Sequence, residues 1–584
     1  MRNMKYQRRL FTLPVMLAAL ALNACNRQAP APTASAPATM AWAQFVDQFI
    51  EHYLEAHPTF AVNAGRHEFD GRMPDWSPAG IERDVAHLHQ QRIAASTYNA
   101  AQLTPRERFE RANLLARIDR DLFWLEKAQA PYKNPEFYFG TIDSIDPAAY
   151  LTRPYASLEK RAAAFIRYAE GIPEVAAQIR ANLRAPLPAT FVQFGVASFS
   201  GLADFYRNDV PTAFADIADP ALQQKLLAAI EPAAAAMQAL ADWLKSTETG
   251  ATQDFALGPK LFAEMLWMTE RVDTPLNQLE AIGKADLARN LAALKNACAL
   301  YAPRLKIDKC VAKVRQNKPE DGAVAGARSQ LAGLKQFVID KQIVSIPGPE
   351  EATVEQAPAY NAQNSAYIDI PGAYDKNLPA VYYIAAPDKS WSKPEQDAYL
   401  QPRSTLLFTS VHEVWPGHFL HSLHSNRSAS RFDQLFVGYA FAEGWAHYTE
   451  EMMVEMGLGE GDPEIHIGQL LQALLRDVRF ISAIGLHTRG MTVSAAEKLF
   501  REQAFLDVGG ARQQAARGTR DPAYLNYTLG KLMIRKLRQD WAAPRSTNAQ
   551  QSWREFHDAL LSYGGPPIPL LRPQILQHSD GTLF

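Results

Sequence analysis

Cysteine is scarce in this sequence, with 3 among 584 residues, which leaves room for very few cross-links. Positive and negative charges nearly cancel, to a formal net charge of -2, so no basic excess points to nucleic acid. The most conspicuous apolar run, Leu10 to Leu22, is shorter than the roughly 20 residues an ordinary membrane span needs. A fixed-period repeat is also lacking, which excludes a solenoid or propeller. What the composition does offer, 47% hydrophobic and 21% charged residues, describes a large soluble globular protein.

The N-terminus has a character of its own. Arg2, Lys5, Arg8 and Arg9 precede the Leu10 to Leu22 run, and Leu22-Asn23-Ala24-Cys25 follows it, the layout of a secretory signal. A cysteine directly after such a run resembles a bacterial lipoprotein signal, in which Cys25 becomes the lipidated first residue; plain cleavage and secretion is the alternative, since Asn23 is less usual there. The expectation is an exported lipoprotein on the periplasmic face of a bacterial membrane, held by a lipid anchor only. Residues 26 to 40 are small, polar and proline-rich, a flexible tether. Cys298 and Cys310, 12 apart, are then open to a local disulfide in an oxidising compartment, or to remaining as two buried thiols.

Beyond the tether the pattern predicts a mainly α protein. Apolar residues recur at three- and four-residue spacing over Trp42 to Glu55, Pro105 to Ala128, Ser157 to Asn182, Pro220 to Thr247, Asn277 to Tyr301 and Gly322 to Asp340. Pro105 and Pro220 stand at first-turn positions. Between about 341 and 403 the texture changes to β-type runs at Ile343–Ile346, Tyr367–Ile370 and Ala380–Ile384, read as a small ribbon or sheet near residues 343–385. The 380–384 run is the expected edge for an extended peptide. Helices resume over 437–456, 463–488, 494–506, 522–541 and 552–562. This divides the chain into a leader (1–25), a tether (26–40), an N-terminal helical region (41–340) that walls a deep cleft, and a catalytic region (341–584).

Chemistry concentrates in Ser404 to His421. His412-Glu413 opens like the H-E-x-x-H helix of zinc proteases, whose histidines one turn apart hold the metal beside a glutamate base. Pro416 occupies the place of the second histidine, and the next one is His418. At about 100° per residue, His412 and His418 point to different sides of a straight helix, so the Pro416-Gly417 pair must kink, bulge or end it. A helix that simply stops at Trp415, its histidines ordinary hydrogen-bonding groups, is the bland alternative. Glu443, His447 and Glu450 share one face of the 437–456 helix, and Glu443 lies 25 residues after His418, so it is the expected third ligand. Gly444 beside it suggests close packing.

His412-Glu-Val-Trp-Pro-Gly-His418 followed by Glu443-Gly-Trp-Ala-His-Tyr-Thr-Glu450 resembles the bacterial family catalogued as domain of unknown function 885, with its H-E-x-x-P-G-H and E-G-W-A-x-Y-x-E motifs. The resemblance implies a large multi-helix, zincin-like metallopeptidase, often exported or lipid-anchored. His421 departs from the glutamine expected there, and is either a neighbour of the metal or a substitute donor. On this basis His412, His418 and Glu443 hold one Zn2+ per chain, and Glu413 is the general base. Glu450, His447 and His421 stand around the ligands. Tyr527 and, behind it, His487 are candidate donors to the oxyanion. Arg479, Arg489 and Arg520 are candidate clamps for a substrate carboxylate.

The function expected is a zinc-dependent peptidase acting on peptides outside the cytoplasm. A metal-dependent amide or ester hydrolase on a non-peptide substrate, and a non-catalytic peptide-binding lipoprotein, are the alternatives. Glu413 speaks against the last, because a binding protein needs no base beside its histidines.

Overall fold

The computed structural model describes residues 40–357, 365–387, 392–544, 551–576 and 581–584. The leader with Cys25, and the tether up to residue 39, lie outside the described residues. Trp42–Phe584 form one compact unit, mainly helical, with one small sheet. None of its described helices is long and apolar enough to cross a membrane.

Local chemistry starts the helices where the sequence places them. Thr104 and Glu107 form a reciprocal capping box ahead of Pro105–Leu122, and a π-turn over Phe123–Lys127 closes that helix. Asp219 caps Pro220–Ser246 and Ser157 caps Leu158–Asn182. Trp42–Ala56, Leu276–Tyr301 and Gly322–Asp340 complete the expected set. Four more helices, Pro78–Thr97, Ala189–Ala213, Gly258–Glu270 and Val508–Arg520, were not expected from spacing. In Pro78–Thr97 few positions are buried, so its apolar stripe is weak. Cys298 and Cys310 are joined in a disulfide.

The sheet has the order β1-β3-β2, with β1 (Ala352–Gln356) parallel to β3 (Ala380–Ile384) and β2 (Ala366–Asp369) antiparallel to it. Two expectations are corrected here. Ile343–Ile346 is not a strand, because side chains consume its backbone: His557 Nδ1 donates to the Ile343 carbonyl at 2.7 Å, His424 Nε2 to the Ser345 carbonyl at 2.8 Å, and the Ser345 N–H reaches Asp558 at 2.8 Å. The run at 380–384 cannot be a substrate edge, since it is the central strand with both sides paired. The edge beside the helix that carries His412 is β2.

A large apolar cluster takes in Phe109 and Phe123 and then runs from Phe262 to Ile575 under the helices of the site; Leu158–Asn182, Ala189–Ala213 and Pro220–Ser246 bury further apolar residues outside it. Behind the site the cluster gives way to buried charge. Lys531, with no solvent exposure, donates to Asp286 at 2.6 Å and stands 3.6 Å from Glu451. Arg289 grips Glu451 through two nitrogens at 2.9 and 3.0 Å, and Asn290 donates to Asp477 at 2.6 Å. These contacts join Leu276–Tyr301 to the helices Tyr439–Glu455, Pro463–Thr488 and Asn526–Ala542.

Candidate metal centre

The first helix of the site, Arg403–Glu413, ends one residue after His412, and a second, His418–Ser425, begins at the next histidine. Between them the Gly417 N–H donates back to the Val411 carbonyl at 3.0 Å, and the Trp415–Pro416 peptide is cis. The break is therefore a full turn between two helices rather than a bulge inside one. Glycine is required at 417: a Cβ there would stand 1.7 Å from the His412 carbonyl oxygen. The Trp445 indole N–H donates to the Pro416 carbonyl at 2.9 Å, which ties this turn to the helix Tyr439–Glu455 that carries Glu443.

That helix is pressed close to Asn526–Ala542 at two glycines. A Cβ on Gly444 would meet the Gly530 Cα at 2.5 Å, and one on Gly530 would meet the Ala440 carbonyl oxygen at 1.9 Å. The contact places Tyr527, one turn before Gly530, beside Glu443. At the helix N-terminus Glu270 accepts from the Ala440 N–H and from Asn526, at 3.3 and 3.0 Å, which holds the same two helices in register.

His412, His418 and Glu443 converge. Glu443 Oε2 stands 3.3 Å from His412 Nε2 and 3.4 Å from His418 Nε2, and one ligand atom from each of the three residues lies within 4.8 Å of the others. Donors bound tetrahedrally at 2.0–2.1 Å are separated by about 3.3 Å, so the spacing fits a single small divalent ion. His412 Nδ1 donates to Glu450 Oε1 at 2.7 Å, which turns its Nε2 toward Glu443. Burial disfavours charge on His412, but its hydrogen bonds to Glu443 and Glu450 raise its pKa to about 9. Burial likewise opposes ionisation of Glu443, yet the two histidines hold its carboxyl well below the usual range.

Around this cluster, Glu450 is fully buried, with Arg476 Nη2 3.6 Å from Oε1 and His447 Nδ1 3.3 Å from Oε2. Burial works against its ionisation, but Arg476 and His447 keep its carboxyl far below the ordinary range. His447 is kept neutral by burial, with a pKa lowered to about 4. His421 donates from Nε2 to the Gly564 carbonyl at 3.0 Å and packs on Phe441; it lines the cavity but stands outside the three-residue cluster. Burial lowers its pKa to about 3.

A cavity of about 500 Å³ opens onto the cluster, lined by β2 at Ala366, Tyr367 and Ile368 and by Glu413, Tyr527 and Arg517 among others. Glu413 is 8% exposed; burial raises its pKa above the ordinary carboxylate value against the opposing pull of His418 and His412. The Tyr527 ring stacks 6.2 Å from that of His412. Burial and the nearby Glu443 charge raise its hydroxyl pKa, so it remains a donor. His487 is not brought to the cavity: its Nε2 donates to the Gly518 carbonyl at 2.8 Å, its Nδ1 accepts from the Leu257 N–H at 3.3 Å, and it is 1% exposed against Phe255 and Phe262. Arg489 pairs with Glu280 and Arg520 with Glu136.

None of the described residues before Ala366 lines this cavity, which corrects the expectation that the N-terminal half walls it. That half instead anchors β2. Arg153 binds Asp369 through Nη2 at 2.7 Å and Nε at 3.1 Å, and His67 bridges Asp70 and Asp375 at 3.1 Å each. Spacing also gave no notice of Arg476 and Arg517. For Arg476 the signal was a charged residue inside an otherwise apolar helix, as in Arg476-Asp-Val-Arg479; Arg517 lies in a helix that also carries Arg512, Gln513 and Gln514, and nothing in the pattern singles it out.

The bacterial protein family of unknown function DUF885 matches residues 58–575. Among solved structures, a candidate lipoprotein of unknown function from Shewanella oneidensis superposes with a TM-score of 0.74 at 23% identity, covering 91% of this chain and 99% of its own. A candidate lipoprotein from Colwellia psychrerythraea gives 0.74 at 17% identity, covering 91% and 98%. No curated protein matches the chain. At these identities the two structural likenesses speak to the fold alone.

Proposed function

Since the chain belongs to the bacterial family of unknown function DUF885, whose members carry no activity in their name, we propose its function from the site: a zinc-dependent hydrolase that cleaves peptides outside the cytoplasm. The carrying observation is the convergence of His412 Nε2 and His418 Nε2 on Glu443 Oε2, at 3.3 and 3.4 Å, the separation of donors around one tetrahedral ion. His412, His418 and Glu443 hold the ion. Zn2+ in such a set supplies Lewis acidity and makes water nucleophilic near neutral pH.

The remaining roles belong to the chain. Glu413, its basicity raised by burial, takes the water proton and passes it to the leaving amine. Tyr527 donates to the oxygen that gains charge. Glu450 fixes the tautomer of His412 by accepting its Nδ1–H. The peptide lies along β2, an outer strand of the sheet among the described residues, beside the ligands. His487 has no part in this scheme, because both its nitrogens are engaged elsewhere. Residues 341–584 act as the catalytic region and 41–340 as the support that fixes β2.

The setting we propose is the periplasmic face of a bacterial membrane, with Cys25 lipidated after removal of the leader. The Arg2 to Cys25 pattern supports it, as does the description of both structural relatives as candidate lipoproteins. Incubation of the zinc-loaded chain with a mixed peptide library tests the activity. Wild type is expected to cleave, and Glu413→Gln to keep its metal while turnover falls by 10²-fold or more, the order of a lost general base. A zinc-loaded wild type that leaves every peptide intact contradicts the peptidase reading.

A further inference from the structure

The positive side of the cavity is not used by the chemistry above. Arg517 stands on the cavity wall, held by Asp521 at 2.9 Å and by the Tyr439 hydroxyl at 3.0 Å. Behind Tyr527 lie two more guanidinium groups, Arg479 with its central carbon 4.9 Å from the ring centroid and Arg476 at 5.8 Å. Asp521 neutralises Arg517, and Glu450 faces Arg476. Arg479 is different. Among the described residues it has no carboxylate partner, and its one side-chain hydrogen bond goes to neutral Gln514 at 2.8 Å, although it is only 7% exposed.

An arginine does not shed its proton in a protein, and a buried charge without a counter-ion is costly. Stacking on Tyr527 offsets part of that cost. Burial, then Arg517 and Arg476, lower the Arg479 pKa to about 10, a sign of how crowded the positive charge is. An arriving anion relieves it. Arg517 can meet that anion at the cavity wall, and Arg479 strengthens the attraction from behind Tyr527.

We infer that the substrate carries a carboxylate, received by Arg517 and favoured by the uncompensated charge of Arg479, so that this wall of the cavity sets specificity. The inference rests on the hydrolase reading and names its substrate class. Two sources supply the same chemistry: the α-carboxylate at a peptide's C-terminus, or the side chain of an aspartate or glutamate.

Three matched short peptides separate these sources: a free acid, its C-terminal amide, and an amide with a glutamate near its end. Faster cleavage of the free acid than of the uncharged amide, by about 10- to 100-fold as expected for one charge-assisted contact, identifies the α-carboxylate. Preference for the glutamate-bearing amide by the same factor identifies the side chain. In Arg517→Gln the preference should collapse to within about threefold through KM, and Arg479→Met should weaken it with Arg479→Lys restoring part. Equal cleavage of all three by wild type overturns the inference while leaving the peptidase reading intact. If nothing is cleaved, that reading fails instead, and carboxylate recognition is read from thermal stabilisation of Glu413→Gln by the same three peptides. Equal stabilisation by acid and amides overturns the inference in that case too.

Discussion

At the scale of single residues, the site turns on atoms that prevent alternatives. Gly417 is fixed by the His412 carbonyl, which leaves no space for a side chain. Glu450 holds the Nδ1 side of His412 and so turns Nε2 toward Glu443. Replacing Glu450 by Gln keeps the volume but removes the charge, and is expected to weaken zinc binding by about 10- to 100-fold. A competition titration against a chelator of known affinity checks this; unchanged affinity would assign Glu450 a packing role only. The three residues that converge were legible in the sequence because metal chemistry restricts residue type and order. Arg479 was named there as a carboxylate clamp by residue type alone; its setting and that of His487 were not legible, because they depend on neighbours from other parts of the chain: Gln514 and Tyr527 for one, Leu257 and Gly518 for the other.

At the scale of elements, two helices meet on glycines. Adding a methyl group at Gly444 forces Tyr439–Glu455 away from Asn526–Ala542, and Gly444→Ala is expected to cost about 1–3 kcal/mol as overpacking, read by urea denaturation. A gain in stability, as helix propensity alone predicts, would show that the contact yields. The edge strand has a similar dependence. Arg153→Met should leave Asp369 unpaired and free β2, raising KM for peptides several-fold without loss of bound zinc. Helix positions were largely legible from three- and four-residue spacing and from caps such as Thr104. Strands were less so. Ile343–Ile346 has β-type residues, but its backbone groups go to His557, His424 and Asp558, whereas β1 buries only Val354 closely and shows little pattern.

At the scale of the molecule, the apolar cluster joins Leu276–Tyr301 and Gly322–Asp340 to the helices of the site, and the charges around Lys531 bind Leu276–Tyr301 to three of those helices. Lys531→Met would leave Asp286, Glu451 and Asp477 with less positive charge in a buried setting. Breaking a buried pair from one side costs about 3–5 kcal/mol, so the denaturation midpoint should fall in step. A change below about 1 kcal/mol would mean that Arg289 and Arg535, whose Nη1 stands 3.2 Å from Glu451, carry the network alone. The N-terminal half is thus a brace for β2 and for the site helices, a role no local pattern could announce.

The central claim is that His412, His418 and Glu443 bind one metal ion together. Zinc content after equilibrium dialysis at neutral pH, for wild type and for His418→Ala, tests it most directly. About one zinc per chain in wild type, lost in His418→Ala while the fold persists by circular dichroism, is the predicted result. A folded wild type that retains no zinc, or a His418→Ala chain that retains it fully, would contradict the account.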